Sequence, residues 1–414
     1  MSKTRKTESL AIVGGGPVGL ALALALSAAK NTQNSRLNNI DIHVVERGAL
    51  ASDGVLDTKV NENANLEASE RSFDNRVYAM SPSSVALLEA IGAWQHLPEK
   101  HVTPIQVIHV IGDSAHPKSA IHFDQGQSLA FIVEHRQLMA ALLCAVRLSG
   151  ISVIESDALA ALTIDKAGQQ ITLASGRVIN ANLILGADGR TSPLRAMAGI
   201  DVVEKDYFSD AVIANFTCEK PHANTAWQWF SQDGVLAYLP LPENQISIVF
   251  STSRANASKM CALKPSELAT VIATAGANKL GALTLASRVD SIALKRLRAT
   301  TWVLPGLALI GDAAHAIHPL AGQGINLGFG DVAALVETLA NKSPLAQLGD
   351  IALLRRYARK RAESAALLGE ATDYLQALYQ RDDAMSKLIR RQGFSFFNRS
   401  PLLKVIATAY AVEA

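Results

Sequence analysis

The stretch Ser9-Leu10-Ala11-Ile12-Val13-Gly14-Gly15-Gly16-Pro17-Val18-Gly19-Leu20 decides the fold. Ser9 to Val13 reads as a short buried strand, and Val18 to Ala29, rich in alanine and leucine, reads as a helix. The glycines at 14, 16 and 19 stand between them with Gly-x-Gly-x-x-Gly spacing. Gly14 permits a tight turn, Gly16 lets the backbone approach a pyrophosphate, and Gly19 lets the helix pack closely on the sheet. The helix start adds amide donors and a favourable dipole, with Pro17 and Val18 facing the same ligand. Ile40 to Glu46 supplies the next strand, which completes a βαβ unit of the dinucleotide-binding kind. Glu46 ends that strand where ribose hydroxyls are expected, with Arg47 beside it. The polar loop Lys30 to Asn39 makes the interval from Gly19 to Glu46 longer than the usual ~20 residues.

Composition narrows the class. The chain has 414 residues, 49% apolar and 18% charged, enough for a large core. Lys plus Arg number 39 against 37 Asp plus Glu, so no net field argues for a nucleic-acid partner. The 3 cysteines show no CxxC spacing, which suits a reducing, cytoplasmic setting. Leu10 to Ala29 is long and apolar, but Gly14, Gly15, Gly16 and Pro17 interrupt it and exclude a membrane span. His315 and His318 lack a third ligand nearby, so no metal site is expected.

Elsewhere the pattern predicts a mixed α/β fold. A helix is expected over Ser83 to Trp94, capped at Ser81 or Ser83, and another over Leu138 to Leu148. Ile105 to Ile111, Ala120 to Phe123, Ile151 to Asp165, Gln170 to Leu173 and Arg177 to Leu185 are strand-like. Ala211 to Thr217, Thr225 to Phe230, Val235 to Leu241 and Gln245 to Ser251 predict a second, mostly antiparallel sheet. The expected organisation is a discontinuous Rossmann-like domain over 1–103, 130–200 and 296–370, a substrate-binding sheet domain over 104–129 and 201–295, and a helical segment over 371–414. Ser52 to Ser72 is a polar surface insert.

Two further motifs carry chemistry. Gly186-Ala187-Asp188-Gly189-Arg190 puts a carboxylate in a glycine-flanked turn after a strand. Gly311-Asp312-Ala313-Ala314-His315-Ala316-Ile317-His318-Pro319-Leu320-Ala321-Gly322-Gln323-Gly324-Ile325-Asn326-Leu327-Gly328 joins an acid, a proline stop and glycines where a helix can begin. With the first motif these resemble the class A flavoprotein monooxygenases, the group that includes 4-hydroxybenzoate hydroxylase. His318 to Gly328, followed by Asp331, resembles the signature of one branch, the ubiquinone-biosynthesis hydroxylases.

The resemblance implies FAD as cofactor and NADH or NADPH as co-substrate. Oxygen then adds to the reduced flavin, and the resulting C4a-hydroperoxide hydroxylates an aromatic ring. By the resemblance Asp188 takes the role that serves both FAD and NAD(P)H, while Gly311 and Asp312 hold the ribityl chain. Amides from Gly322 through Gly324 and Ile325 to Asn326 then point at the flavin N1–C2 carbonyl region, where negative charge accumulates. Pro319, Gly322 and Gln323 are the catalytic candidates, with the Pro319 carbonyl placed at the substrate hydroxyl. Arg76, in Asp74 to Ser81, and Arg136, in Val133 to Leu138, are candidates to offset the cofactor's phosphate charge.

The substrate is read from the middle sheet. Val235 to Leu241 offers apolar groups and one phenol, with Tyr238, Leu239 and Pro319 as substrate candidates. Such a pocket rejects a free carboxylate, because an unpaired buried charge is costly. A polyprenylated phenol fits, and it places the enzyme at the inner face of a membrane or within a quinone-biosynthesis complex. Met385 to Phe397 mixes bases with aromatics, as an interfacial helix would. A soluble phenolic or antibiotic-like substrate, and a non-catalytic flavin-binding assembly factor, are the competing readings; an oligomer is open. Trp227-Gln228-Trp229 lacks the residues that follow it in flavin halogenases and reads as an alternating strand.

Overall fold

Leu10, Ala11 and Ile12 are fully buried because the strand Glu8–Val13 has a parallel neighbour on each side, Ile40–Val45 and Leu183–Gly186. The computed structural model describes residues 8–32, 35–50, 73–112, 120–124, 126–165, 168–317 and 324–380. The sheet around Glu8–Val13 has six strands, in the order Val303–Leu304, Leu307–Leu309, Leu183–Gly186, Glu8–Val13, Ile40–Val45, Ser152–Ile154. Only Val303–Leu304, at one edge, runs antiparallel to its neighbour. The long apolar segment folds as the helix Pro17–Lys30, with Leu20, Leu22 and Leu26 fully buried. It packs against the helices His135–Ser149 and Gly324–Ala340. The core of this half runs from Leu10 to Ala365 and takes nothing between Ile200 and Ala299.

The excursion between those residues builds a nine-stranded sheet. Its order is His315–Ala316, Asp290–Ala299, Val202–Cys218, Gln245–Ser253, Gly234–Leu241, Thr225–Ser231, Val107–Ile111, Ala120–Asp124, with Leu283–Leu285 also pairing Val202–Cys218. One face carries the helix Pro265–Ala275, whose Leu268 and Ile272 join Val212, Phe216 and Phe250 in a second core. Strand residues alternate between faces, so the opposite face turns toward the first half.

Two expected strands divide. Ile105 to Ile111 becomes Val102–Ile105, in a small antiparallel sheet, and Val107–Ile111, in the large one. At the break the Gln106 amide donates to the Asn224 carbonyl rather than to a ladder partner. Ile151 to Asp165 becomes Ser152–Ile154 and Leu159–Asp165, parted where Ser156 adopts a left-handed φ of 56°. The predicted helix at Ser83 is Pro82–Ala90, and Ser81 caps it by accepting from the Ser84 amide at 3.3 Å. Among the described residues no helix is long and apolar enough to cross a membrane. The insert over 52–72 and the segment 385–397 lie outside the described residues.

Candidate active site

The two halves meet around a cavity of about 640 Å³. Gly14, Gly16, Pro17 and Val18 line it from the turn after the first strand. Gly14 has φ +112°, and a Cβ there would stand 2.3 Å from the Ala187 carbonyl oxygen. Gly19 does not reach the cavity; a Cβ on it would fall 1.9 Å from the Gly14 oxygen, so its task is packing. Gly16 is different: a Cβ there would meet nothing within 4 Å. No side chain caps the helix that follows, and no acid sits in its first turn, so its leading amides are donors for an anion. Glu46 and Arg47 line the cavity beside this turn. The Glu46 carboxylate accepts from the Gly15 amide at 2.6 Å and the Gly48 amide at 3.1 Å, which locks the turn to the second strand. Each of its oxygens keeps a further acceptor site for a ribose hydroxyl.

Asp188 enters from the second motif. Asp188 lines the cavity; one carboxylate oxygen accepts from the Leu194 amide at 3.0 Å, and the other, Oδ1, is buried without a hydrogen-bond partner. Burial raises its pKa. A carboxylate on the wall of such a cavity matches a hydroxyl-bearing ligand such as FAD. Asp312 also opens on the cavity, and the protein packed around its other sides raises its pKa despite the opposing charges of His315 and Arg76. Gly311 sits behind it, buried, with φ +56°. Its amide donates to Asp331 Oδ2 at 2.9 Å. That oxygen also meets His315 Nε2 at 2.7 Å, while Arg361 Nε donates to Oδ1 at 2.8 Å. Burial works to raise the Asp331 pKa, and His315 and Arg361 outweigh it, holding the carboxyl below its ordinary value. This buried network fixes the backbone that presents Asp312.

Arg76 lines the cavity with its guanidinium 5.4 Å from the Tyr78 ring centre. Sequence reasoning missed two neighbours, Tyr78 and His135, although both lie in segments it had singled out for their arginines. The Tyr78 hydroxyl stands 2.9 Å from His135 Nδ1. Burial pushes the Tyr78 phenol up to about 12; burial and then Arg76 lower the His135 pKa, so a neutral phenol and a neutral imidazole share one proton. Asn75 and Arg190 also line the cavity and were missed. Their signal was adjacency to Arg76 and to Asp188.

Two residues expected at the cofactor have other partners in the structure. Arg136 lies off the cavity wall and pairs with Glu134 at 3.4 Å. Glu134 is buried, so it draws the guanidinium toward itself. The Asn326 side chain also turns inward. Its oxygen accepts from the Ser81 amide at 3.1 Å and the Ser84 hydroxyl at 2.7 Å, and its amide donates to the Ala79 carbonyl at 2.9 Å. It therefore clamps the helix Gly324–Ala340 to the 79–84 segment, while Gly324 and Ile325 face the cavity. Pro319, Gly322 and Gln323 lie outside the described residues.

The sheet supplies the opposite wall through Ala211, Ile213, Val249, Ile292, Ala293 and Leu294. Tyr238 is not among them. Its neighbour Ala237 pairs with Val249, which pairs in turn with Ile213, so the cavity face is the 237 face. Tyr238 points the other way, 1% exposed, and donates to the Ile272 carbonyl at 2.6 Å. Leu239 shares the 237 face but packs against the cluster of Phe73, Ile105 and Ile132 and does not line the cavity.

The comparisons agree with this geometry. The FAD binding domain family matches residues 48–372. The chain is 31% identical over 419 residues to 3-demethoxyubiquinol 3-hydroxylase of Escherichia coli (strain K12), covering 99% of each. It is 32% identical over 412 residues to ubiquinone hydroxylase UbiL of Rhodospirillum rubrum, covering 98% of this chain and 90% of that protein. Among solved structures, PqsL of P. aeruginosa in complex with 2-aminobenzoylacetate superposes with a TM-score of 0.74 at 20% identity, over 95% of this chain and 100% of that one. The chain belongs to the FAD binding domain family and, within it, to the FAD-dependent aromatic monooxygenases.

Proposed function

We propose that this monooxygenase hydroxylates the ring of a polyprenylated phenol in ubiquinone biosynthesis, using NADH or NADPH and O2. The observation that carries the reading is the apolar sheet wall, from Ala211 to Leu294, facing the turns that fit a flavin nucleotide. Arg190 and Lys295 border the same cavity, but the positions at 211, 213, 249 and 292–294 carry no charge, so an ionised group pressed on them would lose water without a direct partner. A prenylated ring loses nothing there. The names of the two curated relatives support the same substrate class.

FAD, once reduced, supplies the oxygen chemistry, and the chain's own residues position and protect it. The amides after Gly16 bind the pyrophosphate, Glu46 the adenosine ribose, and Asp188 and Asp312 cofactor hydroxyls. Arg76 offsets phosphate charge. Tyr78 and His135 hold a proton between the phenol oxygen and Nδ1 at the cavity edge. The sheet wall excludes water and orients the ring. In this reading 1–103, 130–200 and 296–370 form the cofactor domain, 104–129 and 201–295 the substrate domain, and the enzyme works in the cytoplasm against a membrane's inner face.

The test is aerobic turnover of the FAD-loaded protein with NADPH and a detergent-dispersed prenylated phenol, read by mass spectrometry. A product carrying one more oxygen is expected. Turnover of water-soluble phenols alone would overturn the substrate class, and flavin binding without any hydroxylated product would mark an assembly factor.

A further inference from the structure

A second and larger hollow, about 870 Å³, lies between the segment Arg296 to Pro305 and the helix Ile351–Gln380. Ile317 borders both this groove and the reaction cavity. On the helix side Ala352, Ala358, Ala362 and Ala366 leave the space open. Leu297, Trp302, Leu304 and Pro305 close the other side.

Charge along its lining is one-sided. Among the described residues four arginines border it, Arg296, Arg298, Arg355 and Arg359, and no Asp or Glu does. Arg296 is taken by Asp373 at 2.8 Å. The other three are exposed, and among the described residues none is paired with a carboxylate. In a chain with 39 basic and 37 acidic residues, composition alone does not produce such a rim. Arg355 and Arg359 stand one helical turn apart, so their stems can lie along the apolar walls while their heads stay in water.

An apolar trough under three uncompensated guanidinium groups is complementary to an anionic amphiphile. We propose that this groove docks the enzyme on a membrane by taking the acyl chain of an anionic phospholipid, with the lipid phosphate on Arg298, Arg355 and Arg359. The shared border at Ile317 then sets the membrane surface beside the reaction cavity. This deepens the reading of a bilayer-borne substrate by naming the surface that meets the bilayer.

The test is co-sedimentation of the FAD-loaded protein with phosphatidylcholine vesicles, with and without phosphatidylglycerol. Binding to the anionic vesicles is expected, and R298Q/R355Q/R359Q should weaken it at least about tenfold. The variant should keep its flavin and its turnover of detergent-dispersed phenol. Phosphatidylglycerol with brominated acyl chains should quench tryptophan fluorescence, and Trp302→Phe should abolish that quenching. Unchanged vesicle binding by the triple variant would overturn the proposal, as would displacement by free glycerol phosphate or quenching that survives Trp302→Phe. A groove that instead seats a second copy would show as self-association lost in the triple variant with vesicle binding intact, which also overturns it. Because the detergent assay needs no vesicle, failure of the substrate reading shows there and failure of the docking surface shows here.

Discussion

On the wall built by the parallel sheet, Gly14, Gly16, Asp188 and Asp312 reach the cavity from turns at strand ends. On the wall built by the nine-stranded sheet, Ala211, Ile213 and Val249 reach it from within strands. The first wall depends on local backbone shape, where one methyl group decides whether the turn closes. The second depends on parity, where a shift of one residue sends a side chain to the other face. Substitutions should therefore fail sharply on the first wall and by graded amounts on the second.

The sharpest break is expected at Gly19. Alanine there would put its Cβ 1.9 Å from the Gly14 oxygen, in a helix pinned between sheet and neighbouring helices. Gly19→Ala should give protein without bound flavin and with a melting temperature lower by at least ~4 °C, on the order of 3 kcal/mol or more for a clash backbone cannot relieve. Gly16→Ala sharpens the point. Its Cβ meets nothing, so the apoprotein should melt within about 2 °C of wild type while flavin affinity falls at least ~tenfold, because the methyl occupies the phosphate's approach. Calorimetry with and without FAD separates the two outcomes, and a Gly16→Ala protein that bound FAD normally would deny this turn its assigned ligand.

Behind the first wall, Asp331→Asn strands the buried Arg361 guanidinium and should cost ~3–5 kcal/mol. The pH dependence carries a sign. A carboxyl whose folded pKa is depressed contributes stability above its unfolded value, about 4, and loses it as the pH falls through the folded one. Asp331 is such a group; Asp188 and Asp312, with raised pKa values, act oppositely and lose stability as the pH rises through the carboxylate range. Wild-type apoprotein should thus lose melting temperature on the acid side more steeply than Asp331→Asn does. Equal acid slopes would remove Asp331 from the linkage.

How much of this was legible follows the same division. Gly14, Gly16, Asp188 and Asp312 could be read because their tasks are local: positive φ, close approach, a carboxylate in a turn. Asn326 and Arg136 were read from the same kind of segment and went elsewhere, because Ser81, Ser84 and Glu134 compete for them from distant sequence. The Asp331–His315–Arg361 network was invisible for that reason too, since Arg361 lies 30 residues beyond Asp331. On the sheet wall, the strand Gly234–Leu241 was found, but buried Leu236, Tyr238 and Leu241 on both faces gave no alternation to tell cavity from core.

Val249 tests the sheet wall where parity places it. Val249→Asp puts a carboxylate on the apolar face, flanked by Ile213 and Ala237 across the ladder. Its KM for a prenylated phenol should rise at least ~tenfold, as an unpaired charge beside an apolar ligand demands, with flavin content kept. A variant with unchanged KM would move the substrate off this face.

Tyr238 provides the smallest effect and the cleanest contrast with Val249. Its hydroxyl donates to the Ile272 carbonyl, and its ring meets Trp229 edge-on at 4.7 Å, both on the helix side of the sheet. Tyr238→Phe keeps the ring and leaves one carbonyl short of a donor, a cost of ~1 kcal/mol. The melting temperature should fall by only about 1 °C for a chain of this size, while KM and kcat stay at wild-type values. The two residues belong to adjacent strands and differ by one step of the pleat, so stability should answer to one and substrate binding to the other. If Tyr238→Phe raised KM instead, the sheet would have to present its other face to the ligand, and the assignment of Ala211, Ile213 and Val249 to the substrate wall would fall with it.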